Sequence, residues 1–180
     1  DNRLFHGGPT DQMNWITTTA NGSLTFANAN VPGTHFPKEG SFAMYNEGRI
    51  VVFGGSANTN TNPSDGSTGT STNLAFTIDI RGAQPVVAAT SSMKFVRQFC
   101  NSVILPNGEV MVIGGNSSGL KFNDTGSILA PEIWNPTTGQ WREVTDMAIP
   151  RNYHSLALLL PDGRVWSGGS GLSGNAADHR

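Results

Sequence analysis

Tyr153 and His154 stand side by side at the head of an apolar run, in the stretch RNYHSLALLLPDGRVWSGG from Arg151 to Gly169. A phenol oxygen and an imidazole nitrogen on neighbouring residues make an oxygen-plus-nitrogen donor pair of the kind that suits copper. The same dipeptide has a plainer reading, an aromatic and a polar residue closing the top of a strand, and so short a motif does not decide between the two. The remaining ligand-type residues are scattered. His6 precedes a glycine pair within a strand, His35 lies in a connector rich in proline and glycine, and His179 follows Asp178 near the last residue. Each reads as structural or exposed rather than as a ligand. Cys100, the sole cysteine, excludes an internal disulfide and reads as a small, mostly buried strand residue.

The frame around Tyr153 and His154 recurs. RQFCNSVILPNGEVMVIGG (Arg97 to Gly115) repeats its order of parts: arginine, aromatic, apolar run, Pro-Asn-Gly turn, apolar run, glycine pair. SFAMYNEGRIVVFGG (Ser41 to Gly55) repeats the strand, turn and glycine pair, and RLFHGG (Arg3 to Gly8) resembles the second half of a further copy. Glycine pairs thus return at intervals of roughly fifty residues, in the range of propeller blades. Proline presets one turn dihedral and glycine supplies positive φ, so Pro-Asn-Gly and Pro-Asp-Gly predict hairpins between an inner and a middle strand. A third strand is expected over Leu74 to Ile80 and over Pro131 to Trp134, and an outer strand over Gln140 to Val144. Trp134 and Trp141 are expected to pack between blades.

These units predict an all-β chain with almost no helix, a partial kelch-type β-propeller of about three to four blades. Residues 1–180 are expected to form one partial propeller domain. Because an open stack leaves a strand edge and an inter-blade face bare, the chain reads as a piece of a longer polypeptide; the alternative is a ring closed by neighbouring chains.

The net charge of −2 and a pI of about 6.1 argue against a nucleic-acid or anionic-lipid surface. No apolar run approaches the roughly twenty residues that cross a bilayer, and the first residues lack a signal-peptide pattern. Sequons at Asn21, Asn116 and Asn123 are compatible with a secreted, extracellular protein, though a chain so rich in Asn, Ser and Thr forms them by chance. Two insertions follow glycine pairs: the polar Ser56 to Asn73, expected to be exposed, and Asn116 to Gly126, which carries Phe122. Loops at equivalent places emerge on one face, where function in repeat folds collects.

GGPTDQMNWIT within the segment beginning at Arg3, FVRQFCNSVILPNGEVMVIGG from Phe95, GLKFNDTGSILAPEIW from Gly119 and RNYHSLALLLPDGRVWSGGSGL from Arg151 follow one another as in galactose oxidase and its relatives. The chain resembles the last propeller blades of that copper radical oxidase family, which includes the glyoxal oxidases. The resemblance implies a seven-bladed ring followed by an immunoglobulin-like domain, with one copper near the ring axis. It implies oxidation of a primary alcohol or aldehyde, carbohydrate-related, with reduction of dioxygen to hydrogen peroxide. Tyr153 matches the family's axial tyrosine, a copper ligand and catalytic base; His154 matches the neighbouring histidine ligand; Phe122 matches an aromatic lining the substrate pocket.

The family's cross-linked tyrosine and cysteine belong to earlier blades and its second histidine to the C-terminal domain, so the copper site is only partly contained in this chain. Its other parts would come from the remaining blades and C-terminal domain of the parent chain, or from neighbouring chains. Counting from the arginines sets Cys100 at the place of His154 in the preceding unit, not at the cross-link. Ser173-Gly174-Asn175-Ala176 lacks a cysteine pair often found there in the family. Two functions follow: part of a secreted copper radical oxidase, inactive as the isolated segment, or a non-catalytic extracellular propeller for carbohydrate binding, adhesion or assembly.

Overall fold

The computed structural model describes residues 2–8, 12–19, 21–31, 38–56 and 69–170, and every helix or strand among them is a strand. His35, His179, the 173–176 stretch and the middle of the polar insertion lie outside the described residues. Four antiparallel sheets follow one another along the chain. The first holds β1 (Arg3–His6), β2 (Gln12–Thr17) and β3 (Ser23–Asn30). The second holds β4 (Ser41–Asn46), β5 (Arg49–Phe53), β6 (Ala75–Asp79) and β7 (Val86–Ala89); the third holds β8 (Asn101–Ile104), β9 (Val110–Ile113), β10 (Glu132–Trp134) and β11 (Trp141–Glu143). The fourth pairs β12 (Ser155–Leu159) with β13 (Val165–Gly169). Strands pair in chain order within each sheet, which is the meander of a propeller blade. The chain is therefore all-β, a partial propeller whose middle two blades have all four strands among the described residues.

The expected third and outer strands are present with frayed ends, and β7 is an outer strand that the sequence pattern did not reveal. The polar insertion is shorter than its composition implied. Ser71 and Thr72 are buried, and Thr72 N–H donates to Gly55 O at 2.9 Å, so its last residues already belong to the blade. Both proline turns form as expected. Gly108 N–H donates to Leu105 O at 2.9 Å and Gly163 N–H to Leu160 O at 2.9 Å, with the two glycines at φ 83 and 85. Such three-residue loops end on a left-handed residue that restores the strand twist.

β5 shows how blades stack. Its alternate side chains leave opposite faces: Ile50 and Val52 pack with Met13, Ala27 and Ala29 of the first sheet, while Val51 and Phe53 pack with Val110, Val112 and Trp134 of the third. Trp134 meets Tyr45 edge-on at 4.9 Å and Trp141 meets Phe53 at 5.4 Å, so both tryptophans fill the seam between blades. Their indole N–H groups are satisfied by Thr90 Oγ1 at 3.1 Å and Ser91 O at 2.7 Å.

The glycine pairs couple each blade to the next. Gly55 N–H donates to Arg97 O at 2.9 Å and Gly115 N–H to Arg151 O at 2.7 Å. The approach excludes a side chain: a Cβ on Gly114, at φ 73, would fall 2.1 Å from Arg151 O. Each arginine then turns back into its own blade, Arg97 Nη1 to Gly114 O at 2.9 Å and Arg151 Nη1 to Gly169 O at 3.2 Å. Arg97 also forms a fully buried ion pair with Glu132, Nη2 to Oε2 at 2.5 Å.

Candidate functional site

Each inner strand is preceded by a non-glycine residue in the left-handed region: Glu39 at φ 60 before β4, Phe99 at φ 59 before β8 and His154 at φ 66 before β12. A conformation that L-residues avoid is thus repeated at one place in three successive blades. Phe99 N–H donates to Glu39 O at 2.7 Å, joining two of these tops. The third lies next to Tyr153, whose ring stacks on His154 with centroids 4.0 Å apart and meets Phe99 edge-on at 5.3 Å.

The loop after the third sheet's glycine pair supplies the rest of the cluster. Phe122, itself at φ 55, stands edge-on to Tyr153 at 5.1 Å and to His154 at 5.5 Å. Lys121 Nζ lies 5.1 Å from the centre of the Tyr153 ring and 3.8 Å from Glu39 Oε1. Two buried asparagines hold this loop. Asn116 donates from Nδ2 to Leu120 O at 2.9 Å and accepts Gly119 N–H on Oδ1 at 2.9 Å. Asn152 donates from Nδ2 to Asp124 Oδ1 at 2.8 Å and Ser127 Oγ at 2.9 Å, which ties the loop to the residue beside Tyr153. Gln98 does the same one blade earlier, donating from Nε2 to Gly69 O at 2.9 Å and to Ser71 Oγ at 3.1 Å.

The structure brings Tyr153, His154 and Phe122 together and adds Phe99, Lys121 and Glu39 to the cluster. The placement of Cys100 opposite His154 is corrected. One more residue lies between arginine and proline in the last unit than in the one before, so by backbone it is Phe99 that corresponds to His154. Cys100 turns into the apolar seam instead, 7% exposed among Val51, Val110 and Trp134. Burial pushes its thiol up to about 11, the opposing charge of Arg97 notwithstanding. His6 makes no ring contact with Tyr153, His154 or Phe122; it lines a cavity of about 510 Å³ together with Phe5, Phe42, Ile78 and Glu39, the one member of the cluster that reaches it. That cavity follows the open edge of β1, where the second and third sheets have an inner strand.

The donor set suits a metal in part. Among the described residues neither the Tyr153 hydroxyl nor the His154 ring has a hydrogen-bond partner, which leaves a phenol oxygen and an imidazole nitrogen on adjacent residues free to bind an ion. No group of three or more His, Cys, Asp or Glu side chains among the described residues, His154 included, is placed to hold one.

The glyoxal oxidase N-terminus family model matches residues 35–176. The chain belongs to that family. A galactose oxidase of Gibberella zeae is 34% identical over 96% of this chain, and an aldehyde oxidase of Arabidopsis thaliana is 40% identical over 52% of it. The match spans 25% of the galactose oxidase and 16% of the aldehyde oxidase. Among solved structures, a fungal alcohol oxidase in complex with copper superposes over 93% of this chain and 34% of its own, with a TM-score of 0.84 and 32% identity. Membership of this family gives the free phenol and imidazole at the head of β12 a chemical context that the dipeptide alone did not have.

Proposed function

We propose that this chain is part of a glyoxal oxidase-like copper enzyme that oxidises a primary alcohol or aldehyde and reduces dioxygen to hydrogen peroxide. For an alcohol the balance is RCH2OH + O2 → RCHO + H2O2. The observation that supports the reading is the pairing of unengaged Tyr153 and His154 against Phe122 in a chain that superposes on a copper-containing alcohol oxidase.

Tyr153 and His154 would hold the ion, Tyr153 through its phenol oxygen and His154 through a neutral ring nitrogen. Bound copper would supply the one-electron chemistry that passes the substrate's electrons to dioxygen. Tyr153 is placed as the base that takes the hydroxyl proton of the alcohol on its side-chain oxygen. Phe122, 38% exposed, gives the substrate an apolar wall and excludes water from one side of the phenol. Phe99 packs edge-on against the same phenol. The left-handed backbone at His154 and the hydrogen bonds of Asn152 fix these groups before substrate arrives.

In this reading residues 1–180 are one part of a propeller domain, and the remaining ligands come from other parts of the parent chain. The reading includes secretion. Exposed Asn21 is open to a glycan, whereas Asn116 is fully buried with its amide engaged; peptide mapping of the secreted protein should find glycan at Asn21 and none at Asn116. The deciding experiment is a peroxide-coupled assay on copper-loaded full-length protein. Turnover of primary alcohols or aldehydes supports the oxidase, and no turnover by copper-free and copper-loaded protein alike leaves the non-catalytic propeller. The isolated 180-residue segment is expected to produce no peroxide.

A further inference from the structure

The Lys121 and Glu39 side chains are 29% and 26% exposed and face each other across the gap between two blades, with the ammonium over the ring of Tyr153. Neither belongs to the two apolar cores. Dehydrating a lysine costs free energy that a carboxylate offsets in part, so Glu39 can hold Lys121 at a place where a lone cation would swing out to water. Both ends are braced. Glu39 is fixed by its left-handed backbone and by Phe99 N–H on its carbonyl, and Lys121 by the loop that Asn116 and Asn152 tie down. An ammonium is a donor only and a carboxylate an acceptor only. Side by side they match a neutral oxygen substituent, above all a hydroxyl, which donates and accepts at once. Being neutral as a pair, they offer no net attraction to an anion. Phe122, on the same loop, faces Tyr153 with an apolar edge.

We propose that Lys121 and Glu39 are a specificity-determining pair. They select neutral substrates that carry a second oxygen, as a vicinal hydroxyl or carbonyl, on the carbon next to the one oxidised. The inference rests on Tyr153 being the site of oxidation. A simple alcohol meets only the apolar wall, whereas a vicinal diol also bonds to the pair. Loss of a charge-assisted hydrogen bond to substrate typically changes selectivity about tenfold or more.

The test uses the copper-loaded full-length protein with glycerol and 1-propanol, which have the same number of carbons, and with glycerate as the anionic counterpart. Lys121→Met should lower the glycerol-to-propanol ratio of kcat/KM about tenfold, mainly through KM. Glu39→Gln should move preference from glycerol toward glycerate by a similar factor. Ligand-detected NMR titration of glycerol on copper-free protein gives a second readout, in which Lys121→Met should weaken binding relative to propanol. A lowered melting temperature with an unchanged substrate ratio and unchanged glycerol binding would reduce the pair to a strut between blades and overturn the proposal. If the unsubstituted protein oxidises neither these alcohols nor the matching aldehydes, glyceraldehyde and propanal, the oxidase reading fails by itself. The NMR arm then decides for the pair if glycerol binding depends on Lys121, and against it if it does not.

Discussion

Tyr153 and His154 stood out by type as a donor pair, but only the resemblance to the copper radical oxidases gave them an expected role, and their surroundings were not legible at all. Phe99, Lys121 and Glu39 come from three other places in the chain, and nothing short-range announces that they meet. The left-handed backbone at Glu39, Phe99 and His154 is equally silent in sequence, since none of the three is glycine. Tyr153→Phe should leave the fold intact while lowering kcat for alcohol oxidation by about 10²–10⁴, the usual worth of a positioned base, as measured by the peroxide assay beside a thermal melt. Cys100 makes the opposite case: counted along the repeat it falls beside the site, and by backbone it falls into the core. Its buried thiol keeps its proton to about pH 11, whereas an unfolded thiol loses it near 9. The native state then holds more protons than the unfolded one across that window, so stability falls as pH rises through it, by about 3 kcal/mol in all. Urea unfolding at pH 8 and pH 10.5 should show about 2 kcal/mol of this loss in the parent chain, a contribution absent in Cys100→Ala.

Turns and glycine pairs were the elements best written in the sequence, because proline and glycine act through their own backbone limits. The contacts that give the glycine pairs their purpose were hidden, being made with an arginine carbonyl one blade further on. Gly114→Ala should destabilise the chain by more than about 2 kcal/mol, since it combines a disfavoured φ with a collision on Arg151 O; denaturant unfolding measures it. The polar residue after each arginine is a second hidden device, with Gln98 and Asn152 each reaching back to the loop of the preceding blade. Asn152→Ala should loosen the loop bearing Phe122 and Lys121 and raise KM several-fold while kcat changes less. β7 escaped notice because its residues, VVAA, are too few and too small to alternate visibly, and three of its four residues are exposed. The buried Arg97–Glu132 pair ties the segment leading into the inner strand to the third strand of one blade. Glu132→Gln should cost about 3–5 kcal/mol by leaving the guanidinium without its counter-charge.

Over the whole molecule, stacking of sheets through β5 and the two tryptophans makes a continuous body whose site lies along the tops of its inner strands. That architecture was legible from the recurrence of glycine pairs, because a blade with two apolar faces must bury both against neighbours. The fourth sheet still shows what such burial requires: Leu156, Leu158, Leu159 and Trp166 are exposed on β12 and β13, and the isolated segment should self-associate in sedimentation experiments for that reason. On the proposed function, Tyr153 and His154 supply part of a copper site whose other ligands come from the rest of the protein, and this is the central claim. Copper titration of the full-length protein, followed by electron paramagnetic resonance, tests it most directly. A single bound copper whose signal changes in Tyr153→Phe and whose affinity falls sharply in His154→Ala is the expected result. Copper bound with the same stoichiometry, affinity and spectrum in both variants would contradict it.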